Sequence, residues 1–316
     1  MKFAFTILSW LLITITVRAA QKKVALSELI KETKGYLAIY EELTPLGNSY
    51  YSLRKLPLSN KELGRLTREV TEAGAFTKRR DSVMHEIAIP IMQQKITRNI
   101  QKMIEDEDLA NYDLHVQFAN TGLTVAVAPD KKLYNFSFDA KNGGSYRMSI
   151  SLVHYTGLDP RLARLTSSLE EKPAGPYVTF RSDGYDRIDT ISSTEGTKYV
   201  LTSTVRACNL CFVSTLDLVS FRDSAFVQEF SYSVELRTWE ETIKYDSATR
   251  TITVAYQTDD LTRTCGCGVD RMDNEEDTTD DKDLPHRLCE CMFRYDGVEF
   301  KLIKQCSELL EAEQTY

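Results

Sequence analysis

Two kinds of hydrophobic repeat divide this chain. Up to about residue 110, apolar side chains recur every three or four positions; from Tyr112 onward they alternate with polar ones. Leu26, Leu29, Ile30, Thr33, Leu37 and Tyr40 share one helical face, interrupted only by Gly35. They predict a first helix that ends before the turn-forming Thr44-Pro45-Leu46-Gly47-Asn48-Ser49. Ser59 followed by Glu62 has the spacing of a capping box, so a second helix should start there, carry Leu63, Leu66 and Val70 inward and stop near Gly74. A third, over 81–107, carries Val83, Met84, Ile87, Ala88, Ile91, Met92, Ile96, Ile100, Met103 and Ile104 on one face. Pro90 within it predicts a kink or break at Ile89.

Beyond that point the period is two. Leu114, Val116 and Phe118 read as a strand, as do Leu123, Val125 and Val127, the stretch at Leu133, and Met148, Ile150 and Leu152. The turn formers of 158–176 predict a connection. A second run of strands covers 185–192, 198–205, 210–221 and 225–236. Two hairpins close the chain, 242–245 with 251–256 and 291–295 with 299–304, the latter across Asp296-Gly297. The expected fold is α+β: a small helical unit over 21–110, then a mainly antiparallel β domain over 112–306, with 307–316 as a tail. Turn signals every eight to twelve residues suit either a sandwich or a partial propeller of stacked sheets.

The first residues do not belong to this pattern. Met1-Lys2, the apolar stretch 3–17 and Val17-Arg18-Ala19 resemble a secretory leader, with 1–19 as signal peptide and cleavage after Ala19 or Ala20. An uncleaved anchor is the alternative. No cysteine follows the apolar stretch, which argues against a lipid-modified N-terminus, and no later stretch is apolar enough to cross a membrane. About 300 residues remain, enough for a full core, in a secreted or periplasmic compartment that permits disulfides.

Composition then directs attention to sulfur and acid. All seven cysteines lie in the last third, at 208, 211, 265, 267, 289, 291 and 306; the odd count leaves one thiol over, and Cys306, alone near the C-terminus, is the candidate. Cys265-Gly266-Cys267 and Cys289-Glu290-Cys291 suit an antiparallel hairpin in which Cys265 faces Cys291 and Cys267 faces Cys289. All four sulfurs would then lie on one face, as cross-strand bridges or as a four-thiolate zinc site. Cys208-Asn209-Leu210-Cys211 has the spacing of a redox dithiol or half a zinc site, but its strand-like surroundings favour a structural bridge.

Between the cysteine pairs, 268–288 holds Asp270, Asp273, Glu275, Glu276, Asp277, Asp280, Asp281 and Asp283 against Arg271, Lys282 and Arg287. Much of the net charge of −7 therefore sits in one segment. Carboxylates in such density suit calcium, yet the order of an EF-hand is absent, and a solvated acidic loop is expected. No basic stripe appears, which argues against nucleic acid.

The four histidines, His85, His115, His154 and His286, form no metal or nucleophile motif; His85-Glu86 is followed by Ile89 where a metalloprotease helix needs histidine. Asp183, Asp186 and Asp189 alternate as glycosidase carboxylates on a sheet face would. Asn135-Phe136-Ser137 is a glycan acceptor pattern.

The segment 128–147, from Ala128-Pro129-Asp130-Lys131 through Asn135-Phe136-Ser137-Phe138-Asp139 to Lys141-Asn142-Gly143-Gly144, resembles segments of exported β-rich proteins of uncertain function in Gram-negative bacteria. Tyr199-Val200-Leu201 and the hairpin from Phe293 to Phe300 are similar too, so the likeness covers about 120–306. Phe138 stands where such segments often carry tryptophan. The resemblance implies a β fold and export and brings no activity. The resulting expectation is a non-catalytic interaction or structural protein of the envelope, without cofactor, whose partner is a protein or a glycan. A carbohydrate-active hydrolase and a zinc-stabilised module are the alternatives.

Overall fold

The computed structural model describes residues 26–46, 49–72, 81–143, 147–156, 165–166, 184–207, 211–222, 225–236, 241–258, 265, 267 and 286–310. The leader, most of the acidic segment and the tail after residue 310 therefore lie outside the described residues. The fold is α+β, and the chain divides into two compact units, one ending at Thr124 and the other beginning at Val125.

The first unit is mainly helical. Helix α1 covers residues 26–42 and buries Leu26, Ile30, Thr33, Leu37 and Tyr40. Helix α2 (Asn60–Glu72) starts from the expected capping box: Ser59 Oγ accepts from Glu62 N at 3.3 Å, and Ser59 N donates to the Glu62 carboxylate at 2.8 Å. Hydrogen bonds from Ser59 and Lys95 hold the Glu62 carboxyl down to about 2. Strands β1 (Tyr50–Ser52) and β2 (Ser82–Met84) pair antiparallel, and β2 leads directly into α3 (His85–Ile104).

Of the kink or break expected at Ile89, no break appears: helix α3 runs through Pro90. Pro90 withholds a hydrogen bond from the carbonyl of Glu86, and both residues are exposed, so water reaches that carbonyl while Ala88, Ile89, Met92 and Ile96 stay packed. The stretch around Val116 is a helix, α4 (Leu114–Phe118), rather than a strand. Asp113 caps it by accepting from Val116 N at 3.1 Å. Leu114 and Phe118 are buried and Val116 is 62% exposed, the spacing of a helical turn. The helical unit therefore extends past residue 110.

The second unit is built from three four-stranded antiparallel sheets, each a meander of consecutive strands. The first comprises β3 (Leu123–Val127), β4 (Leu133–Asp139), β5 (Ser149–Tyr155) and β6 (Leu165–Thr166). The second comprises β7 (Arg187–Ser193), β8 (Gly196–Arg206), β9 (Phe212–Arg222) and β10 (Ala225–Leu236). The third comprises β11 (Thr242–Asp246), β12 (Thr251–Thr258), β13 (His286–Tyr295) and β14 (Phe300–Leu310).

The middle sheet is covered on both faces. Tyr199, Leu201, Val219 and Phe226 meet Leu133 and Val153 of the first sheet, while Val200, Leu216, Leu218 and Tyr232 meet Ile252, Val254 and Phe293 of the third. Neighbours such as Tyr199 and Val200 point opposite ways because side chains alternate across a strand. The architecture is thus a stack of three sheets.

Turn chemistry fixes the last hairpin. Gly297 takes a φ of +110°, which a β-carbon would resist, and Asp296 accepts from Val298 N and Glu299 N at 2.9 and 3.0 Å. These bonds, with the Lys301 ammonium, hold the Asp296 carboxyl below the usual carboxylate range.

Candidate functional site

The cysteines are joined, but in the opposite sense to a hairpin. Cys265 bonds to Cys289 and Cys267 to Cys291, with Cα–Cα spans of 5.6 and 5.7 Å. Both bridges have a sequence separation of 24, so the order of the first pair matches the direction of β13 instead of opposing it. The expected facing of Cys265 with Cys291 and Cys267 with Cys289 is therefore wrong. The reason lies in the ladder: β12 and β14 occupy both edges of β13, placing Cys289 between Tyr256 and Ser307 and Cys291 between Val254 and Gln305. No edge is left for another strand, and Cys265 and Cys267 reach the face of β13.

That face is the core. Cys289 and Cys291 are fully buried, Cys265 and Cys267 nearly so, among Tyr256, Phe293 and Leu216. The carbonyl of Cys265 accepts from Gln305 Nε2, tying the cysteine segment to β14 as well. Cys211 is also disulfide-bonded; it directly precedes β9, and its carbonyl accepts from Ala207 N at 3.1 Å across the β8–β9 connection. Cys208 lies outside the described residues. Sulfurs joined in disulfides are not the thiolates that zinc requires, so the hairpin cysteines do not form the four-thiolate site. Cys306 on β14 is a free, exposed thiol.

A buried cation spans the middle and third sheets at the β13–β14 turn. Lys198 on β8 donates to Glu229 at 2.5 Å and to the carbonyl of Val298, in the β13–β14 turn, at 3.0 Å; its Nζ lies 5.8 Å from the centre of the Tyr295 ring. Glu229 is placed by a bulge. The register of β10 against β9 slips between Gln228 and Phe230, leaving Glu229 unopposed and free to turn toward Lys198. Arg222 contacts both Glu229 and Glu195, the latter at 2.7 Å.

Two carboxylates thus lie close together, but they flank cations. Burial raises the Glu229 carboxyl, and the hydrogen bond and charge of Lys198, with Arg222, outweigh it and leave the group below its ordinary value. A glycosidase acid needs the reverse, a carboxyl held protonated near neutrality.

A second polar cluster lies between the first and middle sheets. Asp217, 2% exposed, accepts from Tyr185 OH at 2.8 Å and from Gln228 Nε2 at 2.7 Å. Burial raises its carboxyl, partly offset by hydrogen bonds from Ser231, Tyr185 and Gln228. Asn135 of β4 accepts from Tyr185 N at 2.8 Å and donates to Ser151 Oγ at 2.6 Å and to the Leu152 carbonyl at 3.3 Å. Gly184, at φ +100°, keeps this approach open: a β-carbon there would lie 2.5 Å from that of Ser137. Asn135 is wholly buried and fully bonded, so the glycan acceptor pattern is not presented by the folded chain.

The other sequence candidates are dispersed. Asp186 accepts from Thr204 N at 2.8 Å, Asp189 pairs with Arg187 at 2.7 Å, and Asp183 lies outside the described residues. His85 Nδ1 accepts from Thr44 N at 3.0 Å as a structural bond in the helical unit, and His115 is the second residue of the short α4. His154 is buried beside the Tyr134 ring, and burial depresses its imidazole to about 4. The acidic positions 270–283 lie outside the described residues.

Lys198 and Asp217 were not singled out by the sequence pattern. Their signal is a charged residue at an inward position of an apolar strand, as in Leu216-Asp217-Leu218. Together these features define a helical unit followed by a disulfide-fastened stack of antiparallel sheets whose buried charges tie one sheet to the next. Comparison with protein families, curated proteins and solved structures found no match.

Proposed function

We propose that this chain is an exported, non-catalytic protein that works as a rigid β scaffold, by interaction or as a structural part of the envelope. The observation that carries this reading is the use made of its reactive side chains. Lys198, Glu229, Asp217 and Asn135 are engaged by other side chains or by the backbone, and the bridged cysteines are closed inside the core. The leader pattern and the likeness to exported β-rich proteins support export, and disulfides suit an oxidising compartment.

The test uses the full chain expressed with its leader in a bacterial host. The reading expects an extracytoplasmic product beginning after Ala19 or Ala20; an uncleaved cytoplasmic product contradicts export. Incubated with a panel of polysaccharides, the protein should release no reducing ends. Release that disappears in Glu229→Gln would instead establish the carbohydrate-active reading.

A further inference from the structure

We propose that the outer edge of β14 pairs with β14 of a second copy of this chain, antiparallel about Cys306, and that a Cys306–Cys306 disulfide locks the pair. Strand β14 is the terminal strand of the third sheet, and it runs eleven residues (Phe300–Leu310). Positions 301–306 are exposed, among them Leu302 at 43% and Ile303 at 47%. A long edge with unpaired backbone groups and exposed apolar residues is a template for another strand.

The sequence of this edge is complementary to itself. With Cys306 opposite Cys306 of the second copy, Lys304, which also pairs with Glu290 of its own chain at 2.9 Å, falls opposite Glu308; beyond it the register of β14 slips at Ile303. A twofold axis then repeats each match. Sliding the register by two residues in either direction sets Lys304 against Cys306 or Leu310, and sets a leucine or the cysteine against Glu308. One register therefore matches charge with charge. The same register brings opposed Cα atoms to about 4.5–5.5 Å, within the span of about 4.4–6.8 Å that a disulfide accepts. Cys306 is also the free thiol among cysteines that are otherwise disulfide-bonded in the described residues.

The covalent step requires an oxidant, and a low-molecular-weight disulfide supplies it. The Cys306 thiolate of one copy attacks that disulfide, breaking its S–S bond and releasing one small thiolate. The Cys306 thiolate of the second copy then attacks the protein-side sulfur of the mixed disulfide and releases the other. Two protein thiols are oxidised, one small disulfide is reduced to two thiols, and the two protein protons pass to the departing thiolates. The product joins two four-stranded sheets into one of eight strands.

The test places full-length protein in oxidised glutathione without denaturant. The expected product has twice the chain mass on a non-reducing gel, reverts with reductant and yields a Cys306–Cys306 cross-linked peptide. In Cys306→Ser the covalent dimer is lost, while light scattering still detects a reversible one. Glu308→Lys, which alters an exposed residue with no described intrachain partner, should weaken that reversible dimer about tenfold. A monomer that only acquires glutathione overturns the proposal. So does a dimer indifferent to Glu308→Lys.

Discussion

The two faces of the middle sheet are held to their neighbours by different means. Toward the third sheet the layer is aromatic and aliphatic, with two disulfides inside it and the Lys198–Glu229 pair at its edge. The layer toward the first sheet contains neither of these two bridges. There an aromatic group in which Tyr155 stacks on Phe221 at 4.3 Å accompanies the bonded cluster of Asp217, Tyr185 and Asn135. One layer is fastened by covalent closure and a buried ion pair, the other by neutral donors around a buried carboxyl. The first should respond to reductant and charge reversal, the second to pH.

The largest effect should come from the bridges. Closing a loop of this length is worth about 3–4 kcal/mol, and the second bridge, which closes only the short ring left by the first, about 2 kcal/mol. Replacing Cys265 and Cys289 by alanine should cost about 2 kcal/mol, and replacing all four cysteines about 5 kcal/mol, read by urea denaturation. The shortfall of the single-bridge losses against the combined loss measures how far the two act as one fastening. Equal, additive losses would break the contrast between the layers.

Next comes the ion pair. Lys198→Ala leaves the partly buried Glu229 with the more exposed Arg222 as its remaining cation and should cost about 3 kcal/mol, whereas Lys198→Met combined with Glu229→Leu should recover most of that loss. Recovery would show that the penalty comes from a stranded charge and not from the packing of the lysine stem.

Acid should act on the face of the first sheet turned away from the middle one, through His154. Its imidazole, ordinarily near 6.5, is held at about 4 in the fold, so below 6.5 the unfolded chain binds a proton that the folded chain does not. Stability is therefore full above 6.5 and falls as the pH drops toward 4, by about 3 kcal/mol in all. His154→Phe should flatten that acid limb in denaturation curves taken across this range.

The smallest effect, with the opposite slope, belongs to Asp217. Burial raises its carboxyl above 3.8, so as the pH climbs past that value the unfolded chain loses a proton that the folded chain keeps, and stability declines. Asp217→Asn should remove this decline without disturbing the third sheet. A slope unchanged by the substitution would mean that the carboxyl is not the titrating group.

Much of the β unit was legible because its strands are punctuated. The Asp296-Gly297 turn, the alternation in 242–256 and the Ala225–Leu236 strand all appear where periodicity places them. The capping box at Ser59 was equally direct. The strand reading of Leu114 and Phe118 failed because two and four residues of spacing look alike over so short a stretch, and only the Asp113 cap distinguishes them. The cysteine pairing failed for a different reason. Spacing within each pair shows that its two sulfurs share a face, but the edges of β13 are filled by strands distant in sequence, and a symmetric hairpin was inferred where the contact is made on the face. Lys198 and Asp217 were obscured because both faces of their sheet are buried, which removes the polar alternation that would mark one side as outward.

The direction of the cysteine pairing is the claim on which the fastened layer rests, and counting thiols in two variants tests it. In a Cys306→Ser background, Cys265→Ala with Cys289→Ala should leave Cys267 bonded to Cys291 and no thiol open to alkylation in the remaining hairpin cysteines. Cys265→Ala with Cys291→Ala should leave two, one at Cys267 and one at Cys289. The reverse result, two thiols in the first variant and none in the second, would contradict the account.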